Sequence, residues 1–155
     1  MSARPIPLVS ILIPAYNAEA WIADTIRSAL AQTWTRKEII VVDDGSRDRT
    51  LAIATEFAGA GVSVVAERHQ GAAGTRNRGF ALSRGDYIQW LDADDLLVPD
   101  KIERQLSALG GDHQPRTLLS SRWGRFAYRP EQAKFVPSAL WQDLKPVEWL
   151  LRKMG

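Results

Sequence analysis

Acidic residues collect at two points of this chain, each directly after an apolar run: Asp43-Asp-Gly-Ser46 follows Ile39-Ile-Val-Val42, and Asp92-Ala-Asp-Asp95 follows Tyr87-Ile-Gln-Trp-Leu91. Asp92 and Asp94 stand two residues apart, so an extended backbone points both to one side and Asp95 to the other. Carboxylates brought together in a partly dry cleft raise one another's pKa unless a cation or a hydrogen-bond donor sits among them. Such a pair suits magnesium or manganese. Hard cations prefer oxygen, and magnesium commonly takes one or two carboxylates and completes its shell with water and phosphate oxygens. Taken alone, Asp92-Ala-Asp-Asp95 also reads as an Asx-turn leading into a helix cap. Gly45 and Ser46 make a turn and cap of their own, so Ser46 and Asp48 read as structural.

Two further segments carry groups of interest. Tyr16, after Leu8-Val-Ser-Ile-Leu-Ile13, stands where a planar base could stack on it, although an aromatic after a strand is more often a core residue. Gly71-Ala-Ala-Gly74-Thr-Arg-Asn-Arg-Gly79 resembles an anion-binding helix start, where free amides and the dipole favour negative charge. It follows the third strand rather than the first, and it lacks both the Lys of a P-loop and the spacing of a dinucleotide fingerprint.

The elements that must position these residues are legible from periodicity. Leu8 to Ile13, Ile39 to Val42, Val62 to Val65 and Tyr87 to Leu91 read as strands, the first stopped by Pro14. Trp21, Ile22, Thr25, Ile26, Ala29 and Leu30 fall on one face of a helix from Glu19 to Gln32. Asp48 caps a second helix that carries Leu51, Ala54, Phe57 and Ala58 and ends at Gly59 and Gly61. Gly71 to Ser83 is a third, and Pro99-Asp100 opens a fourth with Ile102, Leu106 and Leu109 inward. Beyond Gly110-Gly111 the pattern weakens: Thr117 to Ser121 and Arg125 to Tyr128 read as a strand pair, and Pro146 to Met154 as a short helix with Trp149 and Leu150 inward.

This alternation is the signature of an α/β fold, a mostly parallel sheet flanked by helices on both faces. In open sheets of that kind ligands bind outside the carboxyl ends of the strands. Pro14-Ala-Tyr-Asn17 and both acidic segments then meet along one edge, and the five carboxylates Asp43, Asp44, Asp92, Asp94 and Asp95 call for a cation among them.

Composition narrows the alternatives. With 155 residues, 45% apolar and 25% charged, the chain is an ordinary globular sequence that can bury a core without staples, and the absence of cysteine excludes disulfides and thiolate metal sites. A net charge of +2 is too small an excess to mark a nucleic-acid binder, and Arg68, Arg76, Arg78 and Arg84, like Arg116, Arg122, Arg125 and Arg129, read mainly as solvated. No stretch reaches the roughly eighteen apolar residues of a membrane span. The expectation is a cytoplasmic protein, with peripheral contact at the inner face of the cell membrane and a homo-oligomer left open. A phosphatase or a receiver domain would need its acidic pair after the first strand, where this chain has Pro14-Ala-Tyr-Asn17.

Taken together, Val9-Ser-Ile-Leu-Ile-Pro-Ala-Tyr-Asn17, Ile40-Val-Val-Asp-Asp-Gly-Ser-Arg-Asp-Arg-Thr50, Gly71 to Gly79 and Gly85-Asp-Tyr-Ile-Gln-Trp-Leu-Asp-Ala-Asp-Asp95 resemble, in order, the family-2 inverting glycosyltransferases with the GT-A nucleotide-sugar-binding fold. The resemblance implies a division into a donor-binding region, residues 1–110, and the start of an acceptor-binding region, residues 111–155, incomplete, within one structural domain. It implies that Pro14, Ala15 and Tyr16 floor a base and ribose pocket with Glu19 close by, and that Asp43 or Asp44 accepts a hydrogen from the base. Arg76 and Asn77 would contact the donor. Asp92, Ala93 and Asp94 would form the DxD segment, Asp92 near ribose and metal and Asp94 a direct ligand of Mn2+ or Mg2+.

The activity so implied is metal-dependent transfer of a sugar, with inversion, from a nucleotide-diphosphate sugar to an acceptor hydroxyl in cell-envelope polysaccharide synthesis. A UDP-sugar is favoured and the acceptor is open. The general base of this family normally lies well beyond the DxD segment. Of Glu103, Asp112, Glu131, Asp143 and Glu148, none stands in the family's base motif, and Asp143 in Trp141-Gln-Asp-Leu144 reads as a helix-entry residue before it reads as a base. The alternative is therefore a non-catalytic module that binds nucleotide-sugar and lacks the base.

Overall fold

The computed structural model describes residues 6–109, 117, 119, 121–127, 130–138, 142, 144, 145, 147 and 148. The chain divides into two compact units, Met1–Ile102 and Glu103–Gly155.

The first unit is built on a sheet of four parallel strands in the order β3-β2-β1-β4, with β1 at Val9–Ala15, β2 at Lys37–Asp43, β3 at Val62–Ala66 and β4 at Tyr87–Trp90. Successive strand residues face opposite ways. Leu12, Ile40 and Val42 share one face, where Leu82 of helix α3 (Gly71–Leu82) and Ile88 pack against them. Gly79 lies flush on the same face, so that a Cβ there would just touch Leu12 and Val42. Ile11, Ile13, Ile39 and Val41 point to the other face and are almost completely buried. Right-handed crossovers place helices α1 (Ile22–Leu30) and α2 (Thr50–Thr55) there. After β3 the chain reverses across the sheet to reach β4 beyond β1, and this reversal opens the crevice at the strand ends.

Several boundaries differ from the expectation, among them the end of α2, which stops at Thr55 before Phe57 and Ala58, and two of them bear on the site. β1 runs through Pro14 instead of stopping there, pairing Pro14 with Val42 and Ala15 with Asp43. Leu91 donates to the Leu12 carbonyl and Asp44 to the Ala15 carbonyl, so alternation turns Pro14 towards the side where β4 has already ended. Its missing N–H therefore leaves no gap in a ladder. The first helix begins at Ile22 rather than Glu19, because the backbone of Asn17, Ala18 and Glu19 is bonded to the loop after β2 and held out of the helix. Trp21, placed by its spacing on the buried face, is 54% exposed as a result. Beyond α2, a 3-10 turn at Ala58–Ala60 ends at Gly61, whose φ of 86° needs glycine.

At the opposite edge of the sheet, the turn from α3 into β4 is fixed by Ser10 and Glu38. Ser10 Oγ donates to Glu38 Oε1 at 2.6 Å and accepts from the Gly85 amide at 2.8 Å, and Glu38 also takes the Arg84 guanidinium at 2.9 Å. Burial raises the Glu38 carboxyl, but the bonds from Ser10 and Arg84 hold it below its ordinary value. The fourth helix, α4, spans Lys101–Ala108.

In the second unit the described structure includes a 3-10 turn at Pro130–Gln132 and an antiparallel bridge from Arg125 to Lys134. Arg125 thus pairs with Lys134, not with the Thr117 to Ser121 run expected as its partner, part of which lies outside the described residues. Asp112, Asp143, Trp149 and Leu150 also lie outside them. Among the described residues no helix is long and apolar enough to cross a membrane.

A Cβ at position 85 would sit 2.5 Å from Ser10 Oγ, 2.6 Å from Ser10 N and 2.7 Å from the Tyr87 carbonyl, where β1 and β4 meet. Gly85→Ala should cost about 1–3 kcal/mol in urea unfolding, read as a lower midpoint with an unchanged slope.

Candidate functional site

The loop after β4, which carries Asp92, Ala93 and Asp94, is held by a polar stripe on α1. Thr25 Oγ1 donates to the Ala93 carbonyl at 2.8 Å, Ser28 Oγ accepts from the Leu97 amide at 3.1 Å, and Gln32 reaches the Val98 carbonyl at 2.7 Å. Thr25 is fully buried in doing so, which explains a hydroxyl on a helix face otherwise filled by Ile22, Ile26 and Ala29.

The loops after β1 and β2 clasp each other. Asn17, at a left-handed φ of 48°, donates its amide to Ser46 Oγ at 3.0 Å and accepts the Arg47 amide on Oδ1 at 2.9 Å. The Ala18 amide donates to Thr50 Oγ1 at 2.7 Å. Glu19 donates its amide to Asp48 Oδ2 at 3.1 Å and accepts the Arg49 amide on its own carboxylate at 2.9 Å. Asp48 Oδ1 takes the Thr50 amide at 2.9 Å, so Ser46 and Asp48 are structural, as their turn chemistry indicated.

Alternation separates the two acidic residues that close β2. Asp43 follows Val41 towards the α1–α2 face; it is 1% exposed, and its Oδ2 accepts the Ser46 amide at 3.0 Å. Its Oδ1 is buried and meets no donor among the described residues. Asp44 turns to the other face and sits under the start of α3, where Oδ1 accepts the Gln70 amide at 2.7 Å and Oδ2 the Gly71 amide at 2.9 Å. Burial raises this carboxyl, but the Gln70 amide, the Thr75 hydroxyl and the Gly71 amide, with the His69 ring when it is protonated, hold it below the usual carboxylate range. Asp44 thereby supplies the helix cap that Gln70, at the N-cap position, does not.

Above these residues lies an open cleft of about 340 Å³, lined by the β1 end from Pro14 to Ala18, by Trp21, by the α3 start and by Asp92, Ala93 and Asp94. On one wall the rings of Tyr16 and His69 meet with centroids 4.6 Å apart and a tilt of 34°. Arg76, on the first turns of α3, donates to Asp92 Oδ1 at 2.7 Å. Asp94 is exposed at the cleft and meets no donor among the described residues. Asp95 feels the resulting surplus of negative charge: desolvation, then Asp94 and Asp92, push its carboxyl up.

The structure therefore brings Pro14, Ala15, Tyr16, Asp44, Arg76, Asp92, Ala93 and Asp94 to one cleft. Glu19, Asp43 and Asn77 are not part of its lining: Glu19 is used on the Arg49 amide, Asp43 is buried on the opposite face, and Asn77 is exposed. The five carboxylates do not form a single cluster. Both Asp44 oxygens are met by backbone amides and Asp43 Oδ2 by one, while Asp43 Oδ1 meets no donor, and among the described residues no group of three His, Asp or Glu is placed to hold a cation. Asp94 and the free side of Asp92 remain as hard oxygen donors, a set that fits a divalent ion of the kind that takes one or two carboxylates and completes its shell elsewhere. Sequence reasoning missed His69 and Trp21 as cleft residues. The position of His69, two residues before Gly71 at the end of a strand-to-helix loop, was the available signal.

Comparison with known proteins gives consistent findings. The profile of the family described as Glycosyl transferase family 2 matches residues 10–122. An uncharacterised glycosyltransferase of Rickettsia typhi is 44% identical over 103 residues, which is 66% of this chain and 32% of the relative. The Escherichia coli enzyme WfgD, named a UDP-Glc:alpha-D-GlcNAc-diphosphoundecaprenol beta-1,3-glucosyltransferase, is 39% identical over 103 residues, 66% of this chain and 41% of the relative. The match thus spans 32% to 41% of the length of these curated relatives. Among solved structures, S. aureus TarS 1-349 is 27% identical with a TM-score of 0.62, covering 68% of this chain and 33% of that one. TarS 1-349 has also been solved in complex with UDP-GlcNAc.

Because the Asp44 carboxyl titrates below its ordinary value in the fold, its contribution to stability is complete above pH about 4 and is lost as the pH falls through the folded pKa. Asp44→Ala should cost about 2–3 kcal/mol at neutral pH, since it strands two amides at the start of α3. Asp44→Asn should flatten the acid limb of stability against pH; both are measurable by denaturant titration from acid to neutral pH.

Proposed function

The chain belongs to glycosyl transferase family 2, and from that premise we propose that its first unit binds a nucleotide-diphosphate sugar, a UDP-sugar in the first instance, with the help of Mg2+ or Mn2+. The observation that carries this reading is the arrangement inside one cleft: an aromatic wall of Tyr16 and His69, the Arg76 guanidinium, and the Asp94 carboxylate, which meets no donor among the described residues. The aromatic wall suits a planar base. The guanidinium and the amides at the start of α3 suit a diphosphate, the former already oriented by Asp92. WfgD, named for a UDP-Glc donor, and TarS, solved with UDP-GlcNAc, support the choice of nucleotide.

A divalent ion, when bound by Asp94 and Asp92, would act as a Lewis acid that stabilises charge on the leaving diphosphate. The chain's own residues then have distinct tasks. Tyr16 orients the base, Thr25 fixes the height of the Asp92–Asp94 loop through the Ala93 carbonyl, and Arg76 adds a fixed positive charge beside the phosphates. Release of the nucleotide is coupled to attack by an acceptor hydroxyl on the anomeric carbon from the face opposite the leaving group, which inverts the configuration. That attack needs a general base, which the family resemblance puts well beyond the DxD segment, so transfer is proposed for the protein as a whole and donor binding for this unit. Synthesis of a cell-envelope polysaccharide at the cytoplasmic side of a membrane is the setting that WfgD's named lipid-linked acceptor favours.

The test is a thermal or chemical melt with UDP in the presence and absence of manganese. At about a hundred times its dissociation constant the nucleotide should stabilise the chain by roughly 2.7 kcal/mol, and Asp94→Ala should remove the manganese-dependent part. A stabilisation by UDP that needs no metal and survives Asp94→Ala would remove the ion from this account.

A further inference from the structure

One segment of the second unit carries charge and apolar surface that the donor cleft does not use. Between Pro115 and Ser138 stand Arg116, Arg122, Arg125, Arg129 and Lys134, with Glu131 as the only acidic residue. In a chain of net charge +2, everything outside this segment is therefore net negative. Trp123, Phe126, Tyr128 and Phe135 are interleaved with the basic residues. Arg122, Trp123, Arg125, Phe126, Lys134 and Phe135 fall within the described residues, and all are exposed.

The backbone sorts these groups onto two sides. Arg125 and Lys134 exchange both of their backbone hydrogen bonds, at 3.0 and 2.7 Å, and residues paired in this way carry their side chains on one face. Phe126 and Phe135, each the next residue along, turn to the other. The Phe135 ring lies across Gly124, where a Cβ would come within 3.1 Å of two ring carbons. Although it rests on backbone there, Phe135 is 56% exposed, and Phe126 is 39% exposed.

A short element with cations on one face and exposed rings on the other has the division found in segments that lie in a membrane interface, apolar face down and basic face up. Aromatic rings favour the level of the lipid headgroups, and Arg and Lys reach the phosphates on their aliphatic stems. Near an anionic surface each such cation strengthens attachment roughly fivefold. A single nucleic-acid strand presents base and phosphate together, and so would be better served by rings and cations on one face.

We propose that the turn built on Arg125 and Lys134 is a docking surface for an anionic lipid bilayer, with Phe126 and Phe135 entering the headgroup layer and the basic side chains meeting its phosphates. The proposal rests on the second unit alone and stands whatever nucleotide the first unit binds.

Co-sedimentation of the whole chain with lipid vesicles tests it. The chain should partition at least about tenfold more strongly into vesicles of equal parts phosphatidylglycerol and phosphatidylcholine than into phosphatidylcholine alone, and added salt should erode that preference; this arm requires no variant. The double substitution Arg125→Gln and Lys134→Gln leaves the backbone pair in place and should lower partition into the anionic vesicles about tenfold. Phe135→Ala keeps every charge and should lower it at least about threefold. Equal partition of wild type into the two kinds of vesicle, or partition undiminished in either variant, would overturn the proposal. Retention on polyuridylate in preference to the anionic vesicles would overturn it as well and assign the surface to nucleic acid.

Discussion

Under the start of α3, the buried Asp44 carboxylate accepts the first amides of the helix, and the form of the cleft follows from that contact. α3 is the crossover that carries the chain back over the sheet from β3 to β4, and its own N-cap residue, Gln70, offers no side-chain bond. A carboxylate delivered from the end of β2 satisfies the orphan donors and meets the positive end of the helix dipole. With the start of α3 fixed in this way, Arg76 reaches Asp92, Gly79 lies on Leu12 and Val42, and the imidazole of His69 is turned towards Tyr16.

The acidic residues of the strand ends thus divide by position into two kinds. Those after β2 are buried and accept backbone amides, one on each face of the sheet because strand neighbours point opposite ways. Those after β4 are exposed, and their charge is answered only in part, by Arg76 on Asp92. Desolvation and mutual repulsion are visible at Asp95, pushed up by Asp94 and Asp92, and it is on this side that an added cation would gain the most. The clasp of Asn17, Ala18 and Glu19 with the loop after β2 belongs with the first kind: a scaffold of hydrogen bonds in which the one charged residue of the three, Glu19, is used on the Arg49 amide outside the cleft lining.

Much of this was legible in the sequence. β-branched runs separated by helical periods identify the parallel sheet, and the position of the strand ends identifies where a ligand must bind, so Tyr16 and Asp92 to Asp94 could be named before any coordinates, while Arg76 came from the family resemblance. What the sequence does not carry is the partner of each polar atom. Asp43 and Asp44 look alike on paper, and only the pairing register shows that one follows Val41 and the other faces α3. Trp21 fits the apolar spacing of α1 but stands one residue before the helix begins, because tertiary bonds to the preceding loop outweigh local propensity. Pro14 breaks a strand by rule and does not break this one, since β4 ends before its missing donor would be needed. His69 became visible only once a contact 25 residues away in sequence was known.

The central claim is that the nucleotide's diphosphate and its metal sit at the end of β4, over a scaffold in which the Asp44 carboxylate is already satisfied. The anomalous scattering of manganese in crystals grown with UDP reads this directly. The account requires a manganese peak beside the Asp94 carboxylate with the diphosphate next to it and the amides of Gln70 and Gly71 still on Asp44. A peak bound between Asp43 and Asp44, or a nucleotide seated outside the cleft, would contradict it.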